Sequence, residues 1–519
     1  MPSRPVLIVG AGPTGLALAL WLTRLGVAVR IIDKNSQAAP FSRALGVQAR
    51  TLEFYGQLGL DYIPLHNGIE IRAVNFWVGS VRGAHFAFGD VARELTRYPF
   101  ILDYAQNDHE RMLIDRLALH DVRVERNTEL MQIDQLDDLV DATLRLPDGS
   151  TAVVQSAYVG GCDGAHSTVR QLLGIGFPGG TYSELLYVAD VRASGPVIDR
   201  EVHVDLDRAD LLAVFAMKGD GHVRLVGTVR NEAVAPGREL TFEDVSKRAI
   251  DSLGLDVSHV SWFSTYRVHH RVANSFGMQR VFLLGDAAHI HSPVGAQGMN
   301  TGIGDAVNLA WKLAAVMNDG ARKSLLDTYA LERIGFARQL VATTDRIFTL
   351  ASKRNFVAAT FRTKLLPLVI PWLTGFPRVC RFIFRTVSQI NIRYRASPLS
   401  LHSSGALDGG DRLPWILLAD GGADGDNFAP LSSLAWQVHV YGEPRGGLAD
   451  ECRKLRLSLH VFGWTPTAAS AGFVRNTAYL VRPDGYIAFG DTTQSASRLH
   501  SYFAQYYTRR PALNDGPAK

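Results

Sequence analysis

The sequence predicts an α/β protein in which a parallel-sheet domain is interrupted by a mostly antiparallel β-sheet and followed by a further domain. Three observations predict this fold: an apolar strand with a glycine-rich turn and helix at 6–20, β-like runs between 186 and 267, and a second buried strand with a glycine-rich loop from 280. The 519 residues suffice for two or three domains. A composition of 47% hydrophobic and 20% charged residues is typical of a globular protein.

The first glycine-rich stretch is typical of a Rossmann-like dinucleotide site. In Gly10-x-Gly12-x-x-Gly15 the first glycine allows a tight turn, the second lets a diphosphate approach the backbone, and the third lets the helix pack on its strand. A second apolar strand, 27–32, ends at Asp33, where a ribose-binding carboxylate is expected. This acid favours an unphosphorylated ribose, as in FAD or NAD.

Composition narrows the expected partners and compartment. The net charge is +4 without a long Lys/Arg run, so we expect no nucleic-acid binding. Cys162, Cys380 and Cys452 are few and far apart, which predicts a reducing, cytoplasmic compartment and no zinc cluster. The apolar stretch at the N-terminus is the glycine-rich strand itself, without a basic leader or a small-residue cleavage site, so we expect no signal peptide. The apolar segment 365–387 contains three prolines and three arginines, so it predicts a bent helical hairpin on the protein or on a partner subunit, not a membrane span.

Polar residues of the next segments are candidates for cofactor contacts. Arg43 and Arg50 are either surface charges or, for at least one of them, a phosphate or flavin contact. A helix is predicted over 106–117, and we expect Gln106 at its start to face the cofactor.

A strand that begins at Tyr158 stops at Asp163-Gly164, after an antiparallel meander over 122–154. Asp163 therefore lies at the carboxyl end of a strand, where open α/β sheets bind ligands. The alternative is a plain turn with Ser167 as the cap of the following helix.

The β-like runs between 186 and 267, broken by a helix near 242–253, predict a sheet that roofs a substrate pocket. In the stretch after 280, a strand ends at Gly285-Asp286, a loop crosses to Gly298, and a helix follows from about Met299. Backbone amides of residues 295–300 are expected to stabilise negative charge on a reduced flavin. His289 and His291 suggest a metal, but loop hydrogen bonding is favoured because further ligands are missing at metal spacing.

The chain resembles the single-component (class A) FAD-dependent aromatic hydroxylases, in particular the branch of phenol hydroxylase, pentachlorophenol monooxygenase and hydroxyphenylpropionate hydroxylase. The resemblance covers nearly the whole chain and rests on three blocks: Gly10-x-Gly12-x-x-Gly15, Asp163-Gly164, and Gly285-Asp286-Ala-Ala-His289 with Pro293. It implies an FAD-binding domain in two parts, 1–180 and 268–345, around a substrate-binding sheet, 181–267. A helical segment, 346–400, then leads to a thioredoxin-like domain, 401–519, which lacks Cys-x-x-Cys and is expected to be structural, with support of a homodimer as one role.

Roles in this family carry over residue by residue. The first block with Asp33 would hold the ADP part of FAD, Asp286 the ribityl chain, and Asp163 would lie near both FAD and a transient NADPH or NADH. The implied cofactor-binding residues are Gly10, Gly12, Gly15, Asp33, Lys34, Arg43, Gln106, Asp163, Gly285, Asp286, Gly295, Gly298, Met299 and Asn300.

The resemblance implies a monooxygenase in which NAD(P)H reduces FAD, O₂ forms a flavin hydroperoxide, and a phenolic ring takes the distal oxygen. Candidate catalytic residues are Pro293 beside the flavin ring and Tyr266, His269 or His270 as the base, with buried structural roles as the alternative for these three. Tyr187 and Arg224 are weaker candidates. Two other functions stay open: epoxidation or Baeyer-Villiger oxygenation of a polycyclic natural product, and flavin binding without oxygenase activity.

Overall fold

The computed structural model describes residues 4–38, 44–78, 80–206, 211–229, 240–293, 295–352, 369, 372, 375–403, 405–418 and 425–508. The strands, numbered along the chain, are β1 Val6–Val9, β2 Val29–Ile32, β3 Gly46–Val47, β4 Ile69–Ile71, β5 Ala73–Val78, β6 Val81–Ala87, β7 Ile101–Asp103, β8 Val124–Glu125, β9 Glu129–Gln135, β10 Val140–Arg145, β11 Thr151–Ser156, β12 Tyr158–Gly161, β13 Gly179–Ser194, β14 Val202–Leu206, β15 Leu211–Ala216, β16 His222–Val229, β17 Asp256–Val272, β18 Gly277–Met278, β19 Val281–Leu283, β20 His289–Ile290, β21 Gln437–Tyr441, β22 Ser458–Phe462, β23 Ala478–Val481 and β24 Ile487–Asp491. The helices are α1 Pro13–Arg24, α2 Ala49–Gln57, α3 Tyr62–Asn67, α4 Gly89–Ala92, α5 Gln106–Ala118, α6 Thr168–Leu172, α7 Arg248–Ser252, α8 Gly298–Asn318, α9 Asp327–Ser352, α10 Pro377–Val387, α11 Leu448–Leu455, α12 Pro466–Ser470 and α13 Ala496–Tyr506.

The first sheet has the strand order β18-β19-β12-β1-β2-β8 and is parallel except for the edge strand β18. Its central strand β1 is fully buried and belongs to a core that also includes residues of α1, α8 and the meander strands β9 and β10. Helices α1 and α8 pack against one another over this core. Strand β19 comes from the far side of the inserted sheet, so the nucleotide-binding domain is built from two separate parts of the chain. The predicted α/β fold is confirmed.

The inserted sheet has eight strands in the order β20-β17-β13-β16-β15-β14-β5-β6. Its pairs are antiparallel except for the parallel pair of β14 and β5. The hairpin of β5 and β6 comes from residues 73–87, well before the run of strands that the sequence pattern indicated. It joins the sheet through long-range pairing with β14, which periodicity within the hairpin does not encode.

The C-terminal segment folds around a four-stranded sheet of order β22-β21-β23-β24, in which β21 and β22 are parallel and the other pairs antiparallel. This is the strand arrangement of a thioredoxin-like domain. Buried charges join it to the first domain: Arg482 donates to Glu332 at 2.7 Å and to Asp484 at 2.6 Å. Asp484 in turn accepts a hydrogen bond from Trp311 of α8. These contacts make the C-terminal domain an integral part of the fold.

The predicted helical hairpin over 365–387 falls partly outside the described residues, and its second half is α10. Within the described part of the chain, each helix is too short or too polar to span a lipid bilayer. One face of α10 contributes Ile383 and Phe384 to the cavity described below.

Candidate flavin and substrate site

A cavity of about 1130 Å³ lies where the glycine-rich turns of the first domain meet the inserted sheet. Its floor is formed by the start of α1, the segment 44–46 and the loop 290–299, and its roof by strands of the eight-stranded sheet. The apolar roof and wall side chains include Val74, Phe76, Phe86, Phe88, Leu186, Val202, Phe215, Val226 and Trp262.

The three glycines of the first motif have different surroundings. Gly10 has φ +102°, and a Cβ there would lie 2.4 Å from the carbonyl oxygen of Cys162. A Cβ on Gly15 would lie 2.0 Å from the carbonyl oxygen of Gly10. A Cβ on Gly12 would have no atom within 4 Å, and Gly12 lines the cavity at the N-terminus of α1. Gly10 and Gly15 therefore allow close packing inside the protein, whereas Gly12 borders space in which a diphosphate fits.

Asp33 lies at the end of β2 beside this turn. Its Oδ2 accepts a hydrogen bond from the backbone N–H of Ala11 at 2.8 Å, and its Oδ1 accepts one from Asn35 at 2.8 Å. Lys34 is exposed and does not line the cavity. Arg43 lies outside the described residues.

Arg50 is fully buried and pairs with protein groups. Its Nη1 donates to Glu53 at 2.9 Å, and its Nη2 donates to the carbonyl oxygen of Asp484 at 2.6 Å. Burial lowers the pKa of Arg50, but the surrounding negative charge outweighs burial and raises it above its usual range. Arg50 therefore connects α2 to the C-terminal domain.

Asp163 has one carboxylate oxygen that stabilises a turn and one that has no hydrogen-bond partner in the described structure. Its Oδ2 accepts from the backbone N–H of Val169 at 3.0 Å, while its buried Oδ1 has no hydrogen-bond partner in the described structure. Ser167 caps α6 by accepting from the N–H of Arg170 at 2.9 Å. Ser167 is therefore the N-cap of α6, as one of the two interpretations predicted. The unpaired Oδ1 of Asp163 lies next in sequence to Cys162 and Gly164, which line the cavity.

The Gly285-Asp286 turn is held from behind by Asp305, which is fully buried. Asp305 accepts from the N–H of Gly285 at 3.0 Å and lies 2.7 Å from His289 Nε2 and 2.5 Å from Arg333 Nε. Burial alone raises the pKa of Asp305, but the charges of Arg333 and His289 outweigh burial and lower it. This node fixes the turn so that the exposed side chain of Asp286 lines the cavity.

The loop that follows contributes His291, Pro293, Gly295, Gly298 and Met299 to the cavity lining. His291 Nδ1 donates to the carbonyl oxygen of Ser292 at 2.7 Å, and its buried Nε2 has no hydrogen-bond partner in the described structure. Burial lowers the pKa of His291 to about 4, so the ring is neutral at neutral pH. Helix α8 begins at Gly298, and its N-terminal amides face the same region.

Asn300 lies behind the lining and joins two loops. It accepts from the N–H of Gln48 at 2.9 Å and donates to the carbonyl oxygen of Gly46 at 2.9 Å. Gln48 also donates to the carbonyl oxygen of Gly295 at 2.9 Å. Gln106 lines the cavity and donates to Glu110 at 2.8 Å.

The proposed base residues fall in different places. Tyr266 and His269 line the cavity, and His269 Nδ1 lies 2.7 Å from the Thr181 hydroxyl. His270 is not part of the lining and packs against Tyr182, with ring centroids 4.7 Å apart.

Two polar residues line the cavity although the sequence pattern gave little or no indication that they would: Asp103 and Arg224. Asp103 ends a three-residue strand, and only the pairing of β7 with β3 and β4 brings it to the cavity. Arg224 pairs with both carboxylate oxygens of Asp190, at 2.6 and 2.8 Å, and donates to the carbonyl oxygen of Ala44 at 3.3 Å. The alternation of β16 was visible in the sequence, but its long-range partners were not.

The residues present fit a flavin dinucleotide. The open space over Gly12 at a helix N-terminus suits a diphosphate, and the unpaired oxygen of Asp163 and the exposed carboxylate of Asp286 suit hydroxyl groups. The second helix N-terminus, at Gly298, suits an electron-rich ring.

Comparisons with known proteins agree with this geometry. Residues 3–344 match the family described as FAD binding domain. The chain is 37% identical to 6-methylpretetramide 4-monooxygenase of Streptomyces rimosus, over 99% of this chain and 96% of the relative. It is 34% identical to pentachlorophenol 4-monooxygenase of Sphingobium chlorophenolicum, over 65% of this chain and 63% of the relative.

Among solved structures, an anhydrotetracycline hydroxylase from Streptomyces rimosus superposes with a TM-score of 0.77 at 29% identity, covering 98% of this chain and 100% of that one. The family match spans well over half of the chain, and the first relative aligns with nearly all of it. FAD is therefore the cofactor, and the chain belongs to the FAD-dependent monooxygenases of the class A aromatic hydroxylase family.

Proposed function

We propose that this enzyme hydroxylates a polycyclic phenol and consumes NADH or NADPH together with O₂. The observation that carries the proposal is the large cavity, which extends from the glycine-rich turns that hold FAD to the strands of the inserted sheet. Its roof is apolar and rich in aromatic side chains, which suits a flat fused-ring ligand. The relatives that act on 6-methylpretetramide and anhydrotetracycline align with nearly the whole chain and support the same substrate class.

Bound FAD supplies the redox chemistry that carries electrons from the nicotinamide to O₂ and one oxygen atom to the ring. The chain holds it through the N-terminus of α1 at Gly12, with Asp33 at the ribose and Asp286 at the ribityl hydroxyls. The N-terminal amides of α8 and the N–H of Gly295 stabilise negative charge at the ring, and Pro293 lines the space beside it. The roof excludes water from the reacting groups.

The chain also has to take the phenolic proton, because a phenolate ring is the better nucleophile. Of the three candidate bases, Tyr266 and His269 line the cavity. We assign the role to His269 Nε2, since Nδ1 is engaged with the Thr181 hydroxyl. Burial and the charge of Arg271 lower the pKa of His269, which keeps the ring neutral and able to accept a proton.

The test is oxidation of NADH and of NADPH by the purified yellow protein, with and without a panel of simple phenols, phenolic acids and polycyclic phenols. We expect a polycyclic phenol to raise the oxidation rate and to gain one oxygen atom, with product matching the nicotinamide consumed. Hydrogen peroxide is measured alongside, because uncoupled oxidation yields peroxide without product. Product structure separates a ring hydroxyl from an epoxide or a lactone. Full FAD loading with no stimulation by any panel member would overturn the proposal and favour a flavin-binding protein without oxygenase activity.

We further propose a domain division at residues 180, 267, 345 and 400, a cytoplasmic location and a homodimer. All three cysteines are buried, and their small number and wide spacing in the sequence favour a reducing compartment. Limited proteolysis with mass analysis tests the boundaries, and light scattering of the holoenzyme tests the homodimer.

A further inference from the structure

Asp103 is a buried carboxylic acid on the wall of the cavity. It ends strand β7, where it pairs with Gly46 on one side and Ile69 on the other, and it is only 4% exposed. Its neighbour at i−2, Ile101, lines the same cavity and, like the roof residues Val74 and Phe215, packs against the cluster of Ile71, Val202 and Ala216. Residues two apart on a strand share a face, so Asp103 belongs to the roof side of the cavity.

Asp103 has no hydrogen-bond partner for its buried Oδ2 in the described structure. Arg224 is the cation whose charge acts on Asp103. Its guanidinium already donates to both carboxylate oxygens of Asp190 and to the carbonyl oxygen of Ala44. Buried polar groups are almost always paired in folded proteins. An unpaired carboxyl on a cavity wall therefore points to a partner that enters the cavity.

The form of this carboxyl follows from its surroundings. Burial raises the pKa of Asp103 well above its usual range, and the charge of Arg224 opposes this only in part. Burial therefore favours the neutral form of Asp103, which carries one O–H donor. Such a donor matches a carbonyl or phenolic oxygen and discriminates against hydrocarbon at the same place.

We propose that Asp103 is a substrate-binding residue whose carboxyl group donates a hydrogen bond to a carbonyl oxygen of the polycyclic substrate. This inference rests on the proposed function, since it assigns a contact to the same substrate class. It predicts a preference for polycycles that carry an oxygen acceptor on the ring edge facing β7.

The test uses the holoenzyme and two ligands, 1,8-dihydroxyanthraquinone and 1,8-dihydroxyanthracene, which differ in the two quinone carbonyls. Binding is followed by quenching of flavin fluorescence. We expect Asp103→Leu to weaken quinone binding by about tenfold or more and to leave the anthracene nearly unchanged, because the lost interaction is one hydrogen bond. Asp103→Asn keeps an N–H donor and is expected to bind the quinone within about threefold of the wild type. Ile101→Val, in the same wall, is the matched control and is expected to affect both ligands alike.

Infrared difference spectra of wild type and Asp103→Asn provide a readout independent of binding, since a neutral carboxyl has its own C=O band. That band is expected in the wild type near pH 7 and is expected to be lost in the variant. Its absence from the wild type would overturn the proposal.

Other outcomes are equally decisive. Unchanged quinone binding in Asp103→Leu, or equal weakening of both ligands, overturns the proposal. Weaker FAD binding with unchanged ligand preference assigns Asp103 to the cofactor and also overturns it. If the wild type binds neither ligand, the polycyclic substrate class fails and the proposal fails with it. If binding depends on Asp103 but no panel member stimulates NADH or NADPH oxidation, the proposal stands and the proposed function fails.

Discussion

Replacing Gly12 with alanine separates ligand binding from folding at the first glycine motif. The new Cβ would have no atom within 4 Å, and the backbone angles of Gly12, φ −79° and ψ −177°, are open to alanine. The apoprotein should therefore lose at most about 1 kcal/mol, the cost of a poorer helix cap. The methyl group would instead occupy the space above the N-terminus of α1. Loss of one charge-assisted hydrogen bond to a phosphate, about 1.5–3 kcal/mol, corresponds to FAD binding weaker by roughly 10- to 150-fold.

Gly10→Ala and Gly15→Ala are the contrasting variants, because their Cβ atoms would meet backbone oxygens at 2.4 and 2.0 Å. Both should destabilise the apoprotein by about 1–3 kcal/mol or more. Gly335→Ala, on the exposed face of α9 with no atom near its Cβ, is the control and is expected to leave FAD affinity unchanged and to raise apoprotein stability by up to about 1 kcal/mol. Apoprotein stability is measured by urea unfolding and FAD affinity by fluorescence titration. Wild-type FAD affinity in Gly12→Ala, or apoprotein destabilisation equal to that of Gly15→Ala, would refute the reasoning.

The other predictions concern buried charges. Asp305→Asn leaves Arg333 without its charge partner in the core and should lower the free energy of unfolding by about 3–5 kcal/mol in urea denaturation. Glu332→Gln should cost a similar amount by the same measurement, because it removes the charge facing Arg482 between the domains. His291 has a pKa lowered to about 4 in the folded state, against about 6.5 unfolded. The unfolded chain therefore binds more protons between these values, and stability should fall as pH drops from about 6.5 to about 4, less steeply in His291→Gln.

Exposed residues of the same types provide the controls. Asp115→Asn should change the free energy of unfolding by no more than about 0.5 kcal/mol. His120→Gln should leave the acid dependence of stability as in the wild type, since His120 is exposed. If either control matched the buried variant, the stated physical cause would be wrong.

The nucleotide-binding elements were predictable from residue types at short spacing in the sequence. A strand, a glycine turn and a helix are set by neighbours a few residues apart, so Gly10, Gly12 and Gly15 were recognisable without coordinates. The helix at Gln106–Ala118 and the meander that ends at Ser156 followed from periodicity in the same way.

The hydrogen-bond partners of individual side chains were harder to predict than the elements, and Arg50 is an example. Its expected place near a phosphate-binding turn suggested a phosphate or flavin contact as one interpretation, yet Arg50 is buried against Glu53 and Asp484. Its partner Asp484 is 434 residues away in the chain. Helix and strand periodicity relates only residues that are close in sequence, so it does not predict this contact.

The sequence by itself determined the α/β class, the two glycine-rich turns and the flavoprotein family, because these depend on residue types at short spacing. Only the tertiary structure decided that residues 73–87 join the inserted sheet, that Asp305 anchors the Gly285-Asp286 turn, and that Asp103 lines the cavity. The physical reason is that each of these rests on strand pairing or on a buried charge between distant segments, whose energy is settled by packing of the whole chain.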